Sequence, residues 1–225
     1  MRSFDEIYAM AVDHAGNAAR VEARLPIALS NAEVAAIPDD RWLSAIAKAI
    51  FSAGFVWRVV NQKWPAFEAA FEGFDPSRVS FYADEEIDRL ISDKSIIRNG
   101  QKIMAVIENA HFLCELAEEH RSVGAFFANW PSSDIFSLYT LLKKRGARLG
   151  GMSAQYMLRF SGKDTPVLSN DVVAALIREG VVDKTPGSKR ALADVQAAFN
   201  KWVDESGRPY CQVSMTLALS IGPTH

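Results

Sequence analysis

Apolar residues recur at helical spacing along most of the chain, and the two-residue alternation of a strand is scarce. The run Asp40–Phe51 carries a stripe through Leu43, Ile46, Ala47 and Ile50, which predicts a helix with one core-facing side. Pro38 precedes it, and Asp39 and Asp40 are its candidate N-caps. Gly54 interrupts the pattern, and FVWRVVNQKW resumes it. Asp75-Pro76 opens another helix with proline in its first turn. Ala83–Ser92 predicts a helix with Ile87, Leu90 and Ile91 inward. Ile103–Glu119 predicts a long one that buries Ile103, Val106, Ile107, Ala110 and Leu113. Phe126–Asp134, which holds Trp130-Pro131, reads as a loop, with Ser132 or Ser133 capping the helix after it. Ala191–Val203 and Cys211–Ile221 predict terminal helices around the turn Glu205-Ser206-Gly207-Arg208-Pro209. The first thirty or so residues are Ala-rich and helical, but their packing partner is not legible. No solenoid repeat is present. The pattern predicts an all-α fold.

Composition narrows this modestly. A chain of 225 residues makes one large domain or two small lobes around a real core. No apolar run approaches a membrane span, and the acidic start MRSFDEIYAMAV lacks the order of a secretory signal. Cys114 and Cys211 stand alone and read as buried thiols rather than a disulfide framework, so a cytoplasmic location is expected. The formal charge of −2 carries no electrostatic footprint of nucleic-acid binding. Its distribution does. Lys143, Lys144, Arg145, Arg148, Arg159 and Lys163 fall within one stretch that contains no acid. On charge alone, a solvated helix end, where cations are favoured at the C-terminus, is the better account of such a cluster.

The glycines inside the cluster tip the balance. Leu141–Glu179 reads as a helix, an Arg-Gly and Gly-Gly hairpin, a second helix, a loop, and an Asp opening a third helix. Two helices joined by a tight Gly-containing turn present backbone N–H groups to a phosphate. This arrangement resembles the helix-hairpin-helix DNA glycosylases. Further segments carry the likeness toward bacterial 3-methyladenine DNA glycosylase I: Gly54-Phe55-Val56-Trp57, then FEAAF at 67–71, then Phe74-Asp75-Pro76. Ser95–Ala110 (SIIRNGQKIMAVIENA) and Leu142–Gly146 (LKKRG) follow in the same order, so the resemblance spans roughly Pro38 to Glu179. The C-terminal run, with Trp202 and Arg208-Pro209-Tyr210, is similar to the last helices of the wider superfamily.

The resemblance implies a two-lobed helical bundle forming one glycosylase-like domain over residues 1–225, with the hairpin at about 141–160. It implies a monofunctional glycosylase that hydrolyses the N-glycosidic bond of alkylated purines such as 3-methyladenine. The partner would be double-stranded DNA containing a damaged base, with no cofactor, no membrane and a monomeric state. Asp171 matches the superfamily's catalytic Asp, roughly twenty residues past the hairpin at a helix start. A simple N-cap is the alternative for it. Trp57 is the candidate for stacking the flipped base, with Phe55 lining the slot or wedging into the vacated stack, and Asn170 completes the pocket. Ordinary core packing is the alternative for Trp57. Lys144, Arg145, Arg148, Gly150, Gly151 and Ser153 are the candidate DNA contacts.

The departures from the family pattern matter as much. The zinc site of the 3-methyladenine type I enzymes would need Cys and His where this chain has Val172 and Ala175. His14, His111, His120 and His225 show no ligand spacing with either Cys. No metal is therefore expected. Ala49 stands where those enzymes place a base-contacting Glu. Met152 occupies the position of a Schiff-base Lys, which argues against strand cleavage. Two cysteines exclude an iron–sulfur cluster. Arg148 replaces the first hairpin glycine, while Leu149-Gly150 keeps the second half. The alternative reading is a non-catalytic DNA-binding protein that retains the fold.

Overall fold

The computed structural model describes residues 1–222, and His225 lies outside them. All regular structure among these residues is helical. The order begins with α1 (Phe4–Ala15), α2 (Ala18–Glu22), α3 (Asn31–Ala35), α4 (Asp39–Ser52) and α5 (Trp57–Ala70). It continues with α6 (Pro76–Val79), α7 (Asp84–Ser92), α8 (Gly100–His120), α9 (Val123–Asn129) and α10 (Ile135–Arg145). The last four are α11 (Met152–Phe160), α12 (Asn170–Arg178), α13 (Lys189–Ser206) and α14 (Tyr210–Leu219). The chain divides into two compact units, one of residues 1–29, 131–138 and 164–225, the other of 30–130 and 139–163.

In the larger unit α8 is the spine, packed by α4, α6, α7 and α9. Its buried side includes Ile103, Val106, Ile107, Ala110 and Leu113, as the sequence pattern requires. The stripe of α4 is buried as expected at Leu43, Ile46, Ala47 and Ile50. Pro38, not an Asp, is the α4 N-cap. Asp39 lies in the first turn, and its Oδ1 accepts from the Val123 N–H at 2.9 Å, joining α4 to α9. The expected loop at Phe126–Asp134 is a second correction. Val123–Asn129 is helical, capped by Ser122, whose Oγ accepts from the Ala125 N–H. Its Val123, Phe126, Phe127 and Ala128 are all buried, so the segment has no polar face to give it a period. Ile91 is exposed, while Leu90 of the same helix is buried.

The other unit joins the two ends of the sequence. Helix α14 packs on α1, α12 and α13. Trp202 is buried and donates its indole N–H to the Arg2 carbonyl at 3.1 Å. Arg208 pairs with Glu22 at 2.7 Å and lies over the Tyr8 ring. The Ala-rich N-terminal segment thus covers the terminal helices, a partnership between chain ends that local pattern does not encode. Val172 and Ala175 are buried in α12. Such apolar positions do not fit a zinc donor set, and no group of three or more His, Cys, Asp or Glu able to hold a metal occurs among the described residues.

Candidate base pocket and nucleic-acid interface

The hairpin is built from α10, a turn at 146–151, and α11. Gly146 is required by space: a Cβ there would lie 2.6 Å from Leu149 Cδ1 and 2.9 Å from the Leu142 carbonyl oxygen. Arg148 takes a left-handed conformation at φ 57°, the kind glycine adopts freely, and Nη2 donates to Gln101 Oε1 at 2.6 Å. Gly151 caps α11 at φ 58° without any side-chain hydrogen bond, so no side chain caps the first amides of α11. Lys143 and Lys144 are exposed at the end of α10. Ser153 is half-buried on the first turn of α11.

Two cations of the cluster are otherwise engaged. Arg145 pairs with Glu115 at 3.1 Å and Glu119 at 3.2 Å, and its guanidinium lies over Phe112. It fastens α10 to α8 instead of standing free for phosphate. Lys163 is buried and donates to the Trp130 carbonyl at 2.6 Å, closing the end of α9. Lys102 does the same for α4: its buried ammonium donates to the carbonyls of Phe51 at 3.1 Å and Ala53 at 2.7 Å. It also sits 4.7 Å from the Phe55 ring centroid, beneath the Gly54–Trp57 turn. Burial pushes its pKa down, and the Arg148 charge adds to this.

Trp57 opens α5 and is 39% exposed, so it is not a core residue. It meets Tyr156 and Phe160 edge to face at centroid distances of 5.6 and 5.3 Å. Phe55 is 44% exposed and Phe160 66%. Trp57 lines a depression of about 400 Å³ together with Ala49, Phe55, Ser153 and Tyr156. It also lines a cleft of about 660 Å³ between α4, α5 and α11, with Ala49, Lys48, Asn61, Trp64, Glu68 and Phe160 among the other lining residues. That is within the range of small-molecule sites.

The sequence reading missed the polar wall of this cleft. Glu68 accepts from Arg41 Nη1 at 2.9 Å and Nη2 at 3.0 Å, from Ser44 Oγ at 2.6 Å and from Trp64 Nε1 at 3.1 Å. Burial works to raise its pKa, but the Arg41 and Ser44 hydrogen bonds outweigh it and hold the carboxyl below its ordinary range. Trp64 is fixed by that bond and stacks 4° from parallel on Phe74. Only the i, i+4 spacing of Trp64 and Glu68 was visible in the sequence.

Asp171 and Asn170 belong to the other unit, in the first turn of α12, and both are exposed. The N-cap is Ser169, whose Oγ accepts from the Val172 N–H at 3.3 Å. Capping therefore does not explain Asp171, whose carboxylate makes no hydrogen bond or ion pair with any described residue.

Comparisons with known proteins point the same way as this geometry. The methyladenine glycosylase family model matches residues 34–156, just over half of the chain. The protein belongs to the methyladenine glycosylase family. It is 36% identical over 66 residues to DNA-3-methyladenine glycosylase 1 of Escherichia coli (strain K12), a stretch covering 29% of this chain and 35% of that relative. The match thus spans about a third of the relative's length. Among solved structures, 3-methyladenine DNA glycosylase I from Staphylococcus aureus aligns at TM-score 0.50 and 22% identity, covering 56% of this chain and 77% of that one. A variant of that enzyme aligns at TM-score 0.50 and 19% identity, over 64% and 85%. Both share the all-helical glycosylase fold.

Proposed function

We propose that the protein is a monofunctional DNA glycosylase that hydrolyses the N-glycosidic bond of alkylated purines in duplex DNA. The observation that carries this reading is the open cleft beside Trp57, walled by two indoles, in a chain of this family. The damaged base must leave the helix stack, which costs a few kcal/mol, and an aromatic slot offsets that cost. The hairpin grips the backbone through the α11 amides, with Lys144 and Arg148 adding charge. Phe55, held over the Lys102 ammonium, is the residue placed to fill the vacated stack. Asp171 supplies the carboxylate that stabilises the developing oxocarbenium ion and orients the attacking water. Met152 stands at the position where a strand-cleaving glycosylase carries its Schiff-base lysine, so no lyase step is proposed.

The alternative is a DNA-binding protein that keeps the fold without excision, and the alanine at position 49 favours it. Release of modified bases from methylated duplex DNA, by wild type and by Asp171→Asn, decides between them. Release by wild type that is lost in the variant supports the glycosylase. Wild-type protein that binds duplex DNA but releases nothing supports the alternative.

A further inference from the structure

Most of the cleft's polar groups are already engaged. Glu68 Oε1 accepts from Arg41, Ser44 and Trp64, and Oε2 accepts from the second Arg41 nitrogen. Arg41 also donates to the Gly73 carbonyl at 2.7 Å and pairs with Asp40 at 3.4 Å. These groups brace α4 against α5 and leave little for a ligand. Three lining residues remain: Lys48, Asn61 and Ser161. Lys48 is the one charged member of the cleft lining that has no ion pair among the described residues. Its ammonium is held 5.3 Å from the centroid of the Trp64 ring.

An ammonium has three donors and no acceptor. Held over one of the two indoles that line the cleft, it rewards an acceptor on the edge of a base bound there and penalises an amino group. A 6-oxopurine offers O6 and N7 as adjacent acceptors, whereas an adenine edge puts an N6 amino donor beside N7. From this we infer that Lys48 is a specificity-determining residue, and that the cleft prefers 6-oxopurines, such as alkylated guanines, over adenines. The inference rests on the cleft being the base pocket of the proposed glycosylase. It narrows the substrate class of that same site. Asn61, an amide with both donor and acceptor, tolerates either base and does not set the preference.

Binding of free bases to the intact protein tests the preference without requiring excision. Quenching of tryptophan fluorescence is titrated with hypoxanthine, 3-methylguanine, adenine and 3-methyladenine. The two 6-oxopurines should bind on the order of tenfold tighter than the two adenines, the discrimination a good base-edge contact gives. Lys48→Met should erase that ratio while adenine affinity stays within about twofold, and Lys48→Arg should keep it. Equal or tighter binding of the adenines, an unchanged ratio in Lys48→Met, or no binding of any base would each overturn the inference. Base release from methylated duplex DNA is scored separately. A protein that releases 3-methyladenine yet shows no 6-oxopurine preference keeps the proposed function and loses this refinement.

Discussion

Asn109 and Ala147 exchange a pair of hydrogen bonds. Asn109 Nδ2 donates to the Ala147 carbonyl at 2.8 Å, and the Ala147 N–H donates to Asn109 Oδ1 at 3.2 Å. Asn109 is fully buried on α8, so one side chain of the spine helix acts as a surrogate strand for the hairpin turn. Asn109→Leu keeps the branched outline of the side chain but removes both its donor and its acceptor. It should destabilise the fold by about 1–3 kcal/mol, the cost of leaving such groups unpaired. Urea denaturation measures this, and a decrease well below that range would mean the turn is held otherwise.

Asp171→Asn should abolish base release while duplex affinity stays within about twofold, because the charge removed is proposed to act on the sugar and not on the phosphates. Single-turnover release and fluorescence anisotropy together read the two effects. Equal release by wild type and variant would take Asp171 out of the mechanism.

The hairpin cations should divide into two classes. Lys144→Glu with Arg148→Glu should weaken duplex binding and lower the salt slope by about 0.9 for each phosphate no longer neutralised. Arg145→Ala should leave the slope unchanged, since that guanidinium is already paired with Glu115 and Glu119. An Arg145 variant as impaired as the double reversal would contradict the assignment.

Trp57→Ala should reduce base release more than it reduces stability. The side chain is partly exposed and meets Tyr156 and Phe160 only edge-on. A stability decrease of about 1–2 kcal/mol is expected, against about 3–5 for a fully buried tryptophan. A larger collapse with release unaffected would return Trp57 to the core.

Glu179 links stability to pH. Burial works to raise its pKa, but the Arg2 N–H and the Arg178 guanidinium bind the carboxylate at 2.9 and 2.8 Å, and the net shift is downward. A depressed folded-state pKa contributes stability that is complete above the ordinary glutamate range and is lost as pH falls through the lowered folded value. Glu179→Gln should be less stable than wild type near pH 7, with the gap closing in acid. Thermal melts from pH 7 to pH 3 check this, and a constant gap would refute the linkage.

The stripe of α4 was legible because Arg41, Ser44 and Lys48 give it a polar side in the sequence, although only Arg41 of these is exposed. That of α8 was legible because the helix has one buried face and one wet face. Helix α9 was not, because Phe126 and Phe127 sit in a segment buried nearly all round, and Trp130-Pro131 drew the boundary too early. In the cleft, Trp57 was legible through its place after the Gly54 turn. Lys48 and Glu68 were not. Each reads as an ordinary polar position on its own helix, and only the packing of α4 on α5 brings them to one wall. Arg145 and Lys163 look like free cations in the sequence because a charge run does not disclose which members are already paired.

The buried ammoniums of Lys102 and Lys163 bear on how the protein meets a polyanion. Both are spent on helix-end carbonyls, and buried Glu179 offsets only one of them, so the outward-facing balance is more negative than the formal −2. Long-range steering toward the proposed DNA partner would be correspondingly poor, with local attraction left to exposed cations such as Lys143, Lys144 and Arg148. Such a protein would read the backbone by collision rather than by capture from afar. It should release undamaged duplex quickly and dwell only where a base has already yielded.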